Sequence, residues 1–160
     1  MRKSARAIIL DENKKLLVFE RNRRNGMFGK PHHYYSIPGG GIEVGETPEQ
    51  AVVRELSEEM LIDIAPQQLI IHQLDEADQR ENFYYLARII SGTPTFNVNS
   101  EEASNPALKG KDAFLIAWVE LGDPLLAYHE SYGQVARQVK AWLDSSDFPT
   151  EAVDMTVKSR

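Results

Sequence analysis

Along the chain, apolar and polar positions alternate or cluster in a way that predicts strands, a helix, more strands and a second helix. Residues 4–10 and 15–21 read as two strands joined into a hairpin by the turn Asp11-Glu12-Asn13. Residues 22–33 form a basic loop holding Arg23, Arg24 and Lys30, and residues 34–37 a short strand ending at Pro38-Gly39-Gly40-Gly41. Further strands are predicted over 68–74 and 82–90, the latter with Phe83, Tyr85, Ala87 and Ile89 on one face. A polar stretch over 91–112 has the length of a binding loop or lid, with plain disorder as the competing reading. A last strand follows over 113–121, then a helix over 128–143. In that helix Tyr132, Val135, Ala136, Val139, Trp142 and Leu143 make one apolar stripe, read as core packing. No pattern marks an element after Asp144.

The helix between the two strand groups announces its own start. Thr47 is an N-cap, Pro48 takes the first helical position, and Gln50 completes a Thr-x-x-Gln capping box. It should run to about Met60. Strands interleaved with two helices predict an α/β or α+β sandwich, with one domain over residues 1–143 and a tail over 144–160.

Composition narrows the chemistry more than the fold. With 42% apolar and 26% charged residues the chain can bury a core. There is no cysteine, which excludes thiolate zinc sites and thiol catalysis and suits a reducing cytoplasm. The apolar run behind Met1-Arg2-Lys3 stops at Asp11, too short for a signal peptide or a membrane span. A cytoplasmic location is therefore expected. A net charge of −6 disfavours broad nucleic-acid binding but leaves room for a small phosphorylated ligand at a locally cationic or metal-bearing site.

The first helix carries such a feature. At 100° per residue, Glu58 and Glu59 fall roughly 60° and 40° to either side of Glu55, so three carboxylates share a narrow face. Val52, Val53, Leu56 and Met60 occupy the neighbouring arc. Like charges at these spacings repel by roughly 0.2–0.5 kcal/mol per pair. Glu58 and Glu59 also stand at the unfavourable end of the helix dipole, at about 0.3–1 kcal/mol each. These costs are modest, and a solvated acidic face bears them too, so they hint at a cation without requiring one. Oxygen donors with no soft ligand nearby suit magnesium or manganese.

Taken together, Gly40, Glu46, Arg54, Glu55, Leu56, Glu58, Glu59 and Ile62 resemble the Nudix box, G-x5-E-x7-R-E-U-x-E-E-x-G-U, with U an aliphatic residue. The lead-in from Pro38 to Pro48 is also similar to that family's. One position departs: Leu61 stands where the family has glycine. Keeping the left-handed helix end there would cost roughly 1–2 kcal/mol, so a local change of shape is expected.

The resemblance implies an α/β/α sandwich with a mixed central sheet, and hydrolysis of a nucleoside diphosphate linked to another group, with magnesium or manganese. It implies Glu55, Glu58 and Glu59 as helix ligands, the Gly39 carbonyl as a backbone ligand, and Glu46 as a metal-site residue acting through water or from behind the direct ligands. Arg54 would pair with a box glutamate and fix its rotamer. Cations bridging a diphosphate offset its charge, and a carboxylate, Glu55 first among the candidates, orients water or takes its proton. Glu101 or Glu102 from the later loop is the alternative base.

Substrate contacts are expected from Arg21, at a position where relatives bind phosphate, and from Arg23, with Tyr85 among the aromatics that could stack a base and Glu102 on the loop. For each of these an ordinary surface or core role is the competing reading. The partner implied is a small nucleotide-type substrate, and a homodimer is left open. Two alternatives to the small-molecule hydrolase are a sensor that binds a nucleotide derivative without turnover and an RNA 5′-end pyrophosphohydrolase.

Overall fold

Strand β1 (Arg2–Ile8) is buried continuously from Ser4 onward rather than on alternate residues. A strand reads so when both faces of its sheet are covered. The computed structural model describes residues 1–23, 32–97 and 112–158. After β1 come β2 (Leu16–Arg23), β3 (His32–Ser36), β4 (Gly39–Gly41), α1 (Pro48–Met60), β5 (Asp63–Asp75), β6 (Arg80–Ser91), β7 (Asp112–Val119), α2 (Glu130–Ser145) and β8 (Val153–Val157).

Five strands form a mixed sheet in the order β4-β1-β6-β5-β8, with β1 parallel to β6 and β5 parallel to β8. Two apolar cores cover its faces. On one, Ala51, Val52, Leu56 and Met60 of α1 meet Ala5, Ala7 and Ala87. On the other, Val135, Ala136 and Val139 of α2 meet Ile8, Ile70 and Tyr84. The helices thus sit on opposite faces, as the α/β/α expectation required.

Two features differ from the sequence reading. The β1–β2 hairpin does not zip up: its backbone pairing is short, made of the Leu10–Leu16 bridge, Asp11 N–H donating to Lys15 O and Leu17 N–H donating to Ile9 O, both at 3.0 Å. β2 instead crosses into a second, antiparallel sheet ordered β3-β2-β7. Its residues alternate between the cores, Leu16 and Val18 in one and Leu17 and Phe19 in the other, which is why it looked like any sheet strand. The second difference is β8, in the stretch where no pattern marked an element, where residues 153–157 pair with 71–75 of β5.

Candidate active site

The three glycines before α1 form a strand rather than a loose turn. β4 pairs antiparallel with β1, placing Gly39 opposite Arg6, Gly40 opposite Ala5 and Gly41 opposite Ser4. Gly39 has φ +147°, and a Cβ there would lie 2.1 Å from the Ala5 carbonyl oxygen, so no other residue fits. At Gly40 a Cβ would lie 2.5–2.7 Å from the carboxylate atoms of Glu55. The missing side chain is thus the seat of the Glu55 carboxylate.

α1 presents that carboxylate through the local signals foreseen. Thr47 Oγ1 accepts from Gln50 N–H at 3.1 Å, and Gln50 Oε1 accepts from Thr47 N–H at 3.0 Å. Leu61 does keep the left-handed geometry, φ 57° and ψ 36°, contrary to the expected change of shape. The helix end is held from outside: Thr95 N–H donates to Met60 O at 2.9 Å, Asn97 N–H to Glu59 O at 3.0 Å, and Asn97 Nδ2 to Glu58 O at 2.7 Å. Carbonyls that a helix end leaves without partners are bonded here, which fixes the terminus where Glu58 and Glu59 stand.

Arg54 organises the acidic cluster. Its Nε and Nη2 donate to the two Glu46 oxygens at 2.8 and 3.0 Å, and Nη2 also donates to Gly41 O at 2.9 Å. Nη1 donates to Glu55 Oε1 and Glu58 Oε2, both at 3.2 Å. The pairing foreseen between Arg54 and the box glutamates is thus present. Both Glu46 oxygens are taken by Arg54, which holds the Glu46 carboxyl below its ordinary pKa. Glu46 Oε1 also accepts from Glu43 N–H at 3.1 Å, so both Glu46 oxygens are engaged within the cluster. Burial is the main cause raising the pKa of Glu55, opposed by Arg54 and by a hydrogen bond with Glu59.

Glu55, Glu58 and Glu59 line one cleft with Gly39, Gly40 and Gly41. Among the described residues no three His, Cys, Asp or Glu side chains are drawn into a closed metal-ligating group. Three carboxylates and the glycine strand's carbonyls nonetheless fit a hard divalent cation chemically. The Glu58 side chain, 56% exposed, keeps the rotamer freedom to turn from Arg54 toward such an ion.

The same cleft is also lined by cationic and aromatic side chains, together with Asp75 and Asp78. Arg21 lines it as expected, and so do Arg6 and Arg80, which the sequence reading missed. Arg6 is only 8% exposed, donates to Ile37 O at 2.7 Å and lies 5.3 Å from the Tyr132 ring centroid. Its signal was present, an arginine between two alanines inside an apolar strand. Tyr34, His129 and Tyr132 supply the rings. Tyr34 packs edge-on to His129 at 4.6 Å and stacks with Tyr128 at 5.4 Å.

The other aromatics lie elsewhere. Tyr85 packs with the α1 core, Phe83 stacks on His72, and Tyr84 is fully buried in the α2 core. Tyr85 is thus not among the cleft-lining residues, because its face of β6 turns to α1. Arg23 ends β2, its side chain outside what is described, and Glu101, Glu102, Arg24 and Lys30 lie outside the described residues.

A mixed sheet between two helices, with a glycine strand laid against an acidic helix, defines an oxygen-donor site in an α/β/α sandwich. A family model for the NUDIX domain matches residues 1–143. The chain belongs to the Nudix family, whose members generally depend on a divalent metal ion. It is 48% identical over 60 residues to an 8-oxo-dGTP diphosphatase of Escherichia coli, covering 38% of this chain and 42% of that protein. Over 31 residues it is 58% identical to an RNA pyrophosphohydrolase of Blochmanniella pennsylvanica, covering 19% of this chain and 20% of the relative. The matches thus span half or less of these curated relatives.

Among solved structures, a MutT structure from a study of Aliivibrio salmonicida and Vibrio cholerae superposes with TM-score 0.60 at 25% identity, covering 88% of this chain and 97% of that one. An ADP-ribose pyrophosphatase from Streptococcus suis shares the fold at TM-score 0.60 and 19% identity, covering 98% of each chain. Among the described residues no helix is long and apolar enough to cross a membrane.

Proposed function

We propose that this chain hydrolyses a phosphoanhydride bond in a nucleotide-type diphosphate, with magnesium or manganese held by Glu55, Glu58, Glu59 and the Gly39 carbonyl. One observation carries the reading: a single cleft is lined both by the acidic face of α1 and by Arg6 and Arg21. A diphosphate needs both, cations for its oxygens and a carboxylate cluster for the ion that accompanies it. The cleft volume of about 470 Å³ suits a nucleotide-sized ligand. Both curated relatives bear names of diphosphate-cleaving enzymes, which supports the same bond type.

In this reading a bound divalent ion supplies charge neutralisation and activation of phosphorus. Arg21 and its neighbours orient the phosphate oxygens through planar donors. Glu55, seated against Gly40 and 12% exposed, is the carboxylate placed to orient water and accept its proton. Arg54 and Glu46 hold Glu55 and Glu58 in register.

The test is a substrate panel with magnesium: nucleoside triphosphates, oxidised ones included, dinucleoside polyphosphates, ADP-ribose, NADH and 5′-triphosphate or capped RNA. Cleavage of at least one small nucleotide is expected, with Glu58→Gln and Glu59→Gln each losing most turnover while staying folded. Wild-type rates in both variants would overturn the metal assignment. Micromolar binding without cleavage of any substrate would favour a sensor.

A further inference from the structure

The floor of the cleft holds a side chain whose hydrogen-bonding is incomplete in a defined sense. Asn82, on β6, is 3% exposed and lines the cleft. Its Nδ2 donates to Gln73 Oε1 at 3.0 Å. Gln73 Nε2 donates in turn to Ser131 O and to Gln134 Oε1, both at 2.9 Å. Gln134 Nε2 donates to Thr156 O at 3.0 Å.

Two of these acceptors are main-chain carbonyls, which cannot donate. They fix the amide orientations of Gln73 and Gln134 from outside, and Gln73 Oε1 then fixes Asn82. The Oδ1 of Asn82 is therefore an obligate acceptor, and among the described residues it is buried with no hydrogen-bond partner. Two residues back on the same face of β6, about 6.6 Å away along the strand, Arg80 also lines the cleft. Its Nε is a buried donor likewise lacking a hydrogen-bond partner among the described residues. An isolated buried polar atom calls for an explanation, and two of opposite sense on one cleft floor point to a ligand edge.

We propose that Asn82 is a specificity-determining residue, its Oδ1 accepting a hydrogen bond from an exocyclic amino group on the base of the bound nucleotide, with Arg80 donating to a neighbouring acceptor on that base. The inference rests on the nucleotide reading of the cleft given above. An exocyclic amino group projects beyond the ring, so it is the donor of a base best able to reach a floor this deep. The rings of Tyr132 and its neighbours flank the same cleft and supply stacking surface. The amide relay makes the choice strict, because Asn82 cannot turn over to offer a donor without breaking its bond to Gln73.

The test uses equilibrium binding of nucleoside monophosphates by calorimetry in magnesium buffer. Two pairs differ only in the amino group: AMP with purine riboside monophosphate, and GMP with IMP. The wild-type protein should bind the amino-bearing member of at least one pair about tenfold or more tightly. Asn82→Leu should remove that preference. Equal binding within both pairs, no binding by any of the four, or a preference that survives Asn82→Leu in folded protein overturns the proposal. The wild-type comparison decides the matter even if a variant fails to fold. Monophosphates contain no anhydride, so the preference can stand where hydrolysis fails, and hydrolysis can stand where the preference fails.

Discussion

Three adjacent glycines, each replaced by alanine, should give three different proteins. At Gly40 the added methyl would sit 2.5, 2.6 and 2.7 Å from the carboxyl carbon and two oxygens of Glu55. Ordinary contact distances are about 3.5 Å, so the carboxylate must retreat by about 1 Å. It is the far end of a flexible side chain and can do so at small cost to the fold. A catalytic group displaced by about 1 Å can cost about 100-fold in rate, so Gly40→Ala should lower kcat by that order.

Gly41 has nothing within 4 Å of its Cβ position, so Gly41→Ala should fold and turn over like wild type. At Gly39 the methyl meets backbone at 2.1 Å with φ +147°, so Gly39→Ala should lose thermal stability outright. The assay is steady-state turnover on the best panel substrate beside a thermal melt for each variant. Gly40→Ala protein with wild-type kcat would refute the seating of Glu55 against the glycine strand, and with it the assignment of Glu55 to the chemistry.

Three further outcomes follow from other contacts. Arg54→Lys keeps the charge but loses the fork that grips Glu46, and should lower kcat by about 10–100-fold with a smaller effect on the melt, measured in the same assays. Asn97→Ala removes the side-chain bond to Glu58 O and should cost about 1 kcal/mol, seen as a fall in Tm of roughly 2–4 °C. At His72 burial works against a charge, yet the hydrogen bonds its ring donates to the Glu81 and Asp154 carboxylates outweigh it and raise the imidazole pKa. Its stabilising contribution is therefore full below the unfolded value of about 6.5 and fades as pH rises through the higher folded one. The urea midpoint of wild type should consequently drop more than that of His72→Gln between about pH 6 and 8, and parallel curves would remove His72 from the account.

What the sequence disclosed was what local chemistry encodes. The capping box at Thr47 and Gln50, the extent of α1 and the shared face of Glu55, Glu58 and Glu59 depend on neighbours within one or two turns, and all appear where expected. The cleft's arginines were harder to see because they come from separate strands of two sheets: Arg6 on β1, Arg21 on β2 and Arg80 on β6 meet only in the folded chain. For the base-stacking candidates the point that sequence leaves open is facing. Tyr85 lies on the side of β6 turned to α1, while Tyr132, assigned wholly to the core by its place in an apolar stripe, reaches the cleft. Leu61 taught the opposite lesson, since outside contacts from residues 95 and 97 keep a geometry that local propensity disfavours.

The last strand carries a consequence for how the molecule can be divided. The family match ends at residue 143, yet residues 153–157 run beside 71–75 and cover the outer rim of the larger sheet. A chain cut at the family boundary would bare that rim, a row of amide and carbonyl groups ready to recruit a strand from another molecule. It would also remove the Thr156 carbonyl that orients Gln134 and, through Gln73, helps to orient Asn82. Such a trimmed protein should be prone to self-association and less able to tell one base from another, even though every residue of the acidic helix would still be present.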